Sequence, residues 1–405
     1  MRERYLQSIV EEFCFKGQKM AFISGPRQCG KTTMAKTMLA ERENGAYFNW
    51  DEHEFRKMWT KNPSQIIPES TKTPLVVLDE IHKAKLWKRT LKGVYDTLKN
   101  PVDIVVTGSA RLNIYKKGSA SLLGRYFHFR LHPFSLREMT GSGPLSPDHF
   151  IENIFTRSRK NSKNDQENFE MLFQFGGFPE PLFSQNERKA RLWRMSRVEK
   201  VIREDLRDLS HVPELSQIEM LASLLPEKVG SPFSIASIRE DLEVSFQTVK
   251  RWVDYLKELY YLFEIKPFYT AIMRSLRKEG KIYLWDYGEV KDEAARFENL
   301  IACHLLKTCH YWTDSGEGNF ELFHLKDKEK HEIDFLITKD RKPWLPIEVK
   351  LTDTVPSSHW KKFLNQMPCR KGIQIVKVPD IWKSYSLDNR EVLVTSAGEL
   401  LGYFI

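Results

Sequence analysis

The chain has 405 residues, more than a single hydrophobic core usually holds, so we expect two to four domains. A hydrophobic content of 41% excludes extensive disorder, and no apolar run is long enough to span a bilayer. Five scattered cysteines exclude a disulfide framework, and the N-terminus lacks a signal-peptide core, so we expect a cytoplasmic protein without membrane contact. The net charge of +9 suits a polyanionic partner such as nucleic acid.

The first 140 residues alternate apolar, strand-like segments with helical patterns, which predicts an α/β region with a parallel sheet. A polar stretch and a helical pattern follow in 141–212. A compact helical unit covers 213–270, and strands mix with helices in 271–405. We expect these four segments to be separate domains or linkers.

The segment GPRQCGKT, residues 25–32, has the spacing of a phosphate-binding loop between a strand and a helix. Its glycines allow a turn whose backbone N–H groups face phosphate oxygens at the positive end of the helix. We predict that Lys31 contacts the β- and γ-phosphates of ATP as a catalytic group and that Thr32 ligates Mg²⁺. The predicted ATP-binding residues of the loop are Gly25, Pro26, Arg27, Gln28, Cys29, Gly30, Lys31, Thr32 and Thr33.

An acidic pair ends the apolar segment PLVVLDEIH, residues 74–82. Asp79 is expected to hold Mg²⁺ through water in the nucleotide site, and Glu80 to orient the attacking water as general base. Such a pair is often a solvated turn, but here it follows a phosphate loop. The strand DIVVTGS ends in Thr107 and Ser109, which predicts a γ-phosphate sensor at Ser109 or, alternatively, an ordinary polar loop.

A candidate arginine finger stands in the segment LLGRYFHFR. Arg125 would stabilise the transferred phosphate in cis or across the interface of a homo-oligomer. The alternative is a surface arginine in a salt bridge.

Residues 234–268 have the pattern of a helix-turn-helix followed by a β-branched segment, which predicts a winged helix. Ser234 and Ser245 are suitable N-caps. The second helix would present Gln247, Lys250 and Arg251 outward, residue types that contact DNA phosphates and base edges. The alternative is a helical unit that packs between domains or binds a protein partner.

The segment EIDFLITKDRKPWLPIEVK, residues 332–350, predicts a hairpin that turns around Arg341. That turn would place Asp334 opposite Glu348, with Lys350 on the same face as Glu348. The two carboxylates, joined by Glu298 from the preceding helix, would then bind a divalent metal, and Lys350 would help to activate a water. Charged residues alternating with Ile and Val are also typical of any half-exposed strand.

Taken together, these motifs resemble the prokaryotic AAA-type ATPases, akin to the archaeal ATPases, that end in an uncharacterised domain. The resemblance rests on GPRQCGKTT, LVVLDEIHK, VVTGSARL, GGFPEPL, KIYLWDYG, FENLI, EIDF and IEVK. It implies an AAA-type P-loop core in 1–140, a helical lid in 141–212, a winged helix in 213–270 and a restriction-endonuclease-like α/β domain in 271–405. The PD-(D/E)xK pattern of such a domain maps onto Glu298, Asp334, Glu348 and Lys350.

Two functions from different classes are compatible with these features. The first is an ATP-hydrolysing enzyme that acts on DNA, with a winged helix for docking and a Mg²⁺-dependent nuclease-like site. The second is a nucleotide-controlled switch or scaffold with a protein partner and a non-cleaving nuclease-like domain. A small-molecule kinase is disfavoured by the long chain that follows residue 140.

Overall fold

A computed structural model describes residues 2–108, 122–143, 145–157, 163–206, 214–268, 279–326, 329 and 331–405. The chain divides into two compact units. The first consists of Met1–Pro133 with Glu258–Tyr260, and the second of Phe134–Lys257 with Tyr261–Ile405. The sequence placed the first boundary near residue 140, somewhat later than the structure does. From Phe134 onward the structure has one unit where the sequence indicated three segments.

The first unit contains a five-stranded parallel sheet, as predicted, with the strand order β2-β3-β4-β1-β5. The strands are β1 (Met20–Ser24), β2 (Gly45–Asn49), β3 (Leu75–Asp79), β4 (Asp103–Gly108) and β5 (Tyr126–Arg130). Strands β1, β3 and β4 are buried along their whole length because helices cover a parallel sheet on its faces. Strand β4 lies between β1 and β3, so the carboxyl ends of all three meet at one edge of the sheet.

The helices of this unit bury one face each against the sheet. They are α1 (Gln7–Ile9), which continues as a π-helix over Val10–Phe15, α2 (Lys31–Ala40), α3 (His53–Lys61) and α4 (Trp87–Asp96). Short 3₁₀ turns cover Pro63–Ile66 and Ile81–Lys83. In α4 the buried residues Trp87, Leu91 and Val94 recur at helical spacing, and they pack with Phe22 and Val106 of the sheet in one apolar core.

The second unit contains a mixed eight-stranded sheet with the order β12-β13-β11-β10-β9-β8-β6-β7. Its strands are β6 (Leu262–Pro267), β7 (Lys281–Leu284), β8 (Phe320–Lys326), β9 (Glu332–Lys339), β10 (Lys342–Lys350), β11 (Lys371–Val376), β12 (Trp382–Leu387) and β13 (Arg390–Ser396). Its helices are α5 (Leu136–Met139), α6 (Phe150–Phe155), α7 (Lys163–Phe175), α8 (Pro179–Ser184), α9 (Glu187–Glu199), α10 (Leu215–Leu224), α11 (Ile235–Asp241), α12 (Phe246–Glu258), α13 (Glu293–Asp314), α14 (Trp360–Asn365) and α15 (Ala397–Leu400). A π-helix over Lys200–Asp205 continues α9, and 3₁₀ turns cover Leu225–Lys228 and Tyr287–Glu289.

Helices α11 and α12 are consecutive and joined by a short connection, in the segment where the sequence predicted a helix-turn-helix. The Ser234 hydroxyl accepts the Ser237 N–H at 3.4 Å, and the Ser245 hydroxyl accepts the Thr248 N–H at 3.1 Å, so both predicted N-caps are confirmed. Strand β6 follows and pairs antiparallel with β7. Because β6 also pairs with β8, one sheet runs through the residue 270 boundary expected from the sequence.

The predicted hairpin is formed by β9 and β10. Its turn consists of Asp340 and Arg341, which both have positive φ, 50° and 65°. A register shift between Pro343 and Leu345 inserts one extra residue into β10. Beyond this bulge Ile347 pairs with Phe335, so the next position along places Asp334 opposite Glu348, as predicted.

Of the helices that the structure describes, none combines the length and the apolar character that crossing a membrane requires.

Candidate functional site

The phosphate-loop segment connects β1 to α2 and closes on itself through Lys31. The Lys31 ammonium, 7% exposed, donates to the carbonyl oxygens of Gly25 and Pro26 at 2.9 and 2.7 Å. Gly30 has a φ of 101°, a conformation that favours glycine. A Cβ on Gly25 would lie 2.1 Å from the Leu131 carbonyl oxygen, so the close approach of these two segments also requires glycine.

The N-terminal segment supports this loop from behind. The buried Arg4 guanidinium donates to the carbonyl oxygen of Cys29 at 2.7 Å and to that of His132 at 2.6 Å. The neighbouring Tyr5 hydroxyl donates to the Arg130 carbonyl at 2.6 Å and accepts the His132 N–H at 3.1 Å. One short segment therefore fixes the loop to the residues that follow β5.

The Asp79 carboxylate, 3% exposed, receives hydrogen bonds from three hydroxyl groups at the carboxyl edge of the sheet. Thr32 and Tyr47 both donate to Oδ2 at 2.7 Å, and Thr107 donates to Oδ1. Burial, followed by the hydrogen bond and charge of Asp79, raises the pKa of Tyr47, so this phenol stays protonated as a donor. Asp79 is thereby held in one orientation beside the phosphate loop.

These groups fit a magnesium ion bound together with nucleotide phosphates. Hydroxyl and carboxylate oxygens are the ligand type that Mg²⁺ prefers, and Thr32 and Asp79 present them side by side. Glu80 follows with a φ of 57°, and its backbone N–H donates to the Thr107 carbonyl at 3.0 Å. Its carboxylate lies 3.4 Å from Nε2 of the buried His82. The acidic pair thus reaches the same edge of the sheet as the loop.

Arg125 does not lie at this edge. Its carbonyl accepts the Met20 N–H at 2.9 Å, which places it at the amino ends of β1 and β5, a strand length of about 16 Å from the phosphate loop. Its guanidinium binds both carboxylate oxygens of Asp96 at 2.6 and 3.0 Å. This position and ion pair match the salt-bridge alternative and do not fit a finger in cis, whereas a finger across a subunit interface stays a prediction. The sensor candidate Ser109 lies outside the described residues.

In the second unit, the predicted carboxylates surround a lysine that sequence reasoning missed. The Lys281 ammonium, 4% exposed, pairs with Glu332, with Glu298 at 3.2 Å and with Asp334 at 3.7 Å. The Tyr283 hydroxyl donates to Glu298 at 2.7 Å. Burial acts to lower the pKa of Lys281, but the charges of Glu298, Asp334 and Glu332 outweigh it and raise that pKa. Burial and then the Glu298 charge raise the pKa of Asp334.

Glu348 is engaged by a different set of groups. Its fully buried carboxylate contacts Lys350 at 2.9 Å, the Ser357 hydroxyl at 2.9 Å and Nε2 of His359 at 3.1 Å. Within the described residues, no group of three or more His, Cys, Asp or Glu side chains is arranged to hold a metal ion. Lys281 contacts Glu298 and Asp334, whereas Lys350 contacts Glu348, so two different lysines engage the three predicted metal ligands.

Helix α12 exposes the three predicted DNA-contacting residues Gln247, Lys250 and Arg251. The Arg251 guanidinium lies 3.9 Å from the Glu214 carboxylate. Residues 234–258 carry four basic and five acidic side chains. The helix pair as a whole is therefore not basic, although the predicted face of α12 is.

Residues 17–140 match a family model described as an AAA domain. The chain is therefore similar to this family over residues 17–140, the AAA domain. Residues 166–291 and 294–395 match two further models, each described as a domain of unknown function (DUF8612 and DUF4143). The first of these models includes β7, the strand that pairs with β6.

Two relatives carry the description of an uncharacterized protein. A protein of Haemophilus influenzae is 23% identical over 369 residues, which is 84% of each chain. A protein of Mycobacterium tuberculosis is 21% identical over 269 residues, 66% of this chain and 54% of the relative. Among solved structures, a Walker-type ATPase of Pyrococcus abyssi is 15% identical, covers 73% of this chain and 96% of its own, and has a TM-score of 0.44.

The sequence did not predict the contacts that Tyr47 and Arg4 make at the candidate nucleotide site. Tyr47 stands in the strand-like segment AYFNW, and its pairing with Asp79 follows from the adjacency of β2 and β3. The adjacency of β2 and β3 could have suggested the contact between Tyr47 and Asp79, since Asn49, two residues after Tyr47, pairs with Asp79. Arg4 has no sequence signal, because its partners Cys29 and His132 are distant in the chain.

Proposed function

We propose that the protein is a Mg²⁺-dependent ATP hydrolase whose AAA domain acts as a nucleotide switch. The observation that carries this proposal is the buried Asp79 carboxylate, held by hydroxyls of Thr32, Tyr47 and Thr107 where the phosphate loop opens. An acidic pair in a solvated turn would not be buried and oriented in this way.

Each residue has a role that follows from its position. Lys31 would leave the carbonyls of Gly25 and Pro26 to bind the β- and γ-phosphates. Thr32 would hold the metal directly and Asp79 through its water shell, and the bound Mg²⁺ would neutralise charge that develops on the phosphates. Glu80 would orient the attacking water and accept its proton.

Two substitutions separate nucleotide binding from turnover. Lys31→Ala should abolish ATP binding, measured with a fluorescent ATP analogue. Glu80→Gln should keep binding and lower kcat by roughly 100-fold or more, because general base catalysis contributes on that scale. Lys57→Ala, an exposed lysine paired only locally with Glu54, is the matched control. Hydrolysis by Lys31→Ala at the wild-type rate would contradict the assignment of the loop.

We further propose that α12 binds nucleic acid through Gln247, Lys250 and Arg251. Their common exposure on one helix after an N-capped turn supports this. The five acidic residues of 234–258 favour the alternative, a protein partner for the same winged-helix-like unit. Lys281 and Lys350 engage the carboxylates predicted to bind a nuclease metal, which argues against DNA cleavage.

Salt dependence tests the nucleic-acid interface. If Lys250 and Arg251 contact phosphates, replacing both with Ala should weaken binding to all duplex sequences and reduce the slope of log K against log salt by about two. Lys257→Ala is the control, because that lysine pairs with Glu264. Binding that is unaffected by the double substitution, or absent in the wild type, would favour the protein partner.

A further inference from the structure

The Lys281 ammonium stands where a metal-dependent site would need its cation. It comes from β7, adjacent to β6, while its partners come from the long helix α13 and from β9. Lys281 contacts Glu298 and Asp334, two of the three residues predicted as metal ligands, and also Glu332. A lysine with 4% exposure is rare unless its charge is paired, so its carboxylate partners are a condition of its burial.

Glu348, the third predicted metal ligand, contacts other groups than Lys281. Although Glu348 lies opposite Asp334 in the hairpin, its two oxygens bind Lys350, Ser357 and His359. The Asp334 Oδ2 atom accepts the Val349 N–H at 2.8 Å, while Oδ1 faces Lys281. One oxygen of Asp334 thus binds the backbone of β10, and the other faces Lys281.

Two ammonium groups offset most of the carboxylate charge around Lys281 without a metal. Three carboxylates meet the Lys281 ammonium and the Lys326 ammonium, which lies 3.3 Å from Glu332. The Tyr283 hydroxyl supplies a further hydrogen bond to Glu298. A divalent ion at this point would place two further positive charges next to a desolvated ammonium, and this repulsion opposes metal binding.

We propose that Lys281 is the resident cation of the Glu298–Glu332–Asp334 cluster and that this cluster binds no divalent metal. The cluster fastens β7 to α13 and β9 through ion pairs inside the second unit. The C-terminal module is accordingly a metal-independent binding or structural unit. This assignment does not depend on ATP hydrolysis in the AAA domain.

Metal binding can be measured directly on the full chain. Nucleotide-free protein carrying Asp79→Asn, which removes the carboxylate of the predicted metal site in the AAA domain, is titrated with Mn²⁺ and followed by electron paramagnetic resonance. We expect no bound Mn²⁺ at millimolar concentration and no shift of Tm. Mn²⁺ binding that disappears when Asp334→Asn is added would overturn the proposal, and this comparison uses chains that keep Lys281.

A second variant tests the structural half of the proposal. Lys281→Met should lower Tm by roughly 10 °C, since removing one partner of a buried ion pair leaves uncompensated charges. Addition of Mn²⁺ should restore part of this loss, because Glu298 and Asp334 then lack the Lys281 charge. Lys326→Met, at the half-exposed edge of the cluster, is the matched control and should shift Tm much less. An unchanged Tm in Lys281→Met would refute the role of Lys281 as the resident cation.

Discussion

In the AAA domain, one oxygen atom of the Asp79 carboxylate accepts two hydrogen bonds. Thr32 and Tyr47 donate to the same atom, Oδ2, yet Thr32 is also the predicted magnesium ligand. If Thr32 bound the proposed metal, the Tyr47 hydroxyl would remain to keep Asp79 oriented. The ring of Tyr47 is itself covered by the Lys36 ammonium, 4.3 Å from its centroid. Tyr47 is thus a positioning residue for Asp79.

This role predicts a specific effect of Tyr47→Phe. The Mg²⁺ concentration that gives half-maximal ATP turnover should rise by roughly tenfold, because a hydrogen bond to a charged group contributes about 1.5–3 kcal/mol. Tyr95→Phe is the control, since that hydroxyl donates to the Gln18 carbonyl, away from Asp79. A variant with lower Tm and an unchanged Mg²⁺ requirement would show that Tyr47 is only structural.

Arg4 supports the phosphate loop by two hydrogen bonds to backbone carbonyls of Cys29 and His132. Arg4→Ala leaves these carbonyls without their donor, so we expect ATP affinity to fall by roughly tenfold while the domain stays folded. Arg4→Lys should restore little, because an ammonium lacks the planar fork that reaches both oxygens. Isothermal titration with ATP measures the effect, and Arg2→Ala, exposed and two residues earlier, is the control. Equal affinities for the Arg4 and Arg2 variants would contradict it.

At the scale of the sheet, strand direction explains why Arg125 lies far from the phosphate loop. All strands of the first sheet are parallel, so residues that precede a strand lie at the edge opposite the loops that follow strands. Arg125 precedes β5, whereas the phosphate loop follows β1. The parallel sheet was predicted from the sequence, and the same reasoning applied to Arg125 would have excluded it as a finger in cis.

A kinetic consequence follows for this residue. Arg125→Ala should leave kcat for ATP unchanged at low protein concentration, because the guanidinium binds Asp96 far from the loop. Turnover is measured over a range of protein concentrations beside Asp96→Ala, which breaks the same pair from the other side. A loss of kcat that appears in Arg125→Ala alone and grows with protein concentration would point to a finger acting between subunits.

At the scale of an element, the β9–β10 hairpin could be predicted from the sequence but its bulge could not. A turn expected around Arg341 placed Asp334 opposite Glu348, and this register is found because a bulge adds one residue to β10 after the turn at Asp340 and Arg341. The bulge at Trp344 was not predictable, because this ring packs against Phe150, Trp312 and Phe320 from distant parts of the chain. Lys281 was missed for the same reason, since only the assembled sheet brings it to carboxylates of α13 and β9.

At the scale of the whole molecule, the end of the AAA match and the boundary between the compact units differ by residues 134–140. The model match extends to residue 140, but the contacts place Phe134 onward in the second unit. Within that unit α5 is tied to α13. Lys307 pairs with Glu138 and donates to Ser135 at 3.1 Å, and the Leu136 N–H donates to Nε2 of His304 at 3.1 Å. The end of the AAA match is therefore anchored by buried polar contacts.

His304 makes this anchor sensitive to pH. It is 2% exposed, its Nε2 accepts the Leu136 N–H, and its Nδ1 donates to the Leu300 carbonyl at 2.9 Å, so the ring must be neutral. Burial lowers the pKa of His304 from 6.5 to about 4. Between these values the unfolded chain binds a proton that the folded chain does not. Stability is therefore complete above pH 6.5 and falls as the pH drops toward 4, by on the order of 3 kcal/mol.

His304→Gln separates this contribution from that of other groups. A glutamine can accept and donate hydrogen bonds without titrating, so the variant should lose less stability than the wild type as the pH falls from 6.5 toward 4. The measurement is the free energy of unfolding in urea at several pH values. Burial also lowers the pKa of His324, so part of the acid sensitivity should persist in the variant. Parallel stability curves for the two proteins would mean that His304 is protonated in the folded chain, which would contradict its role as an acceptor for α5.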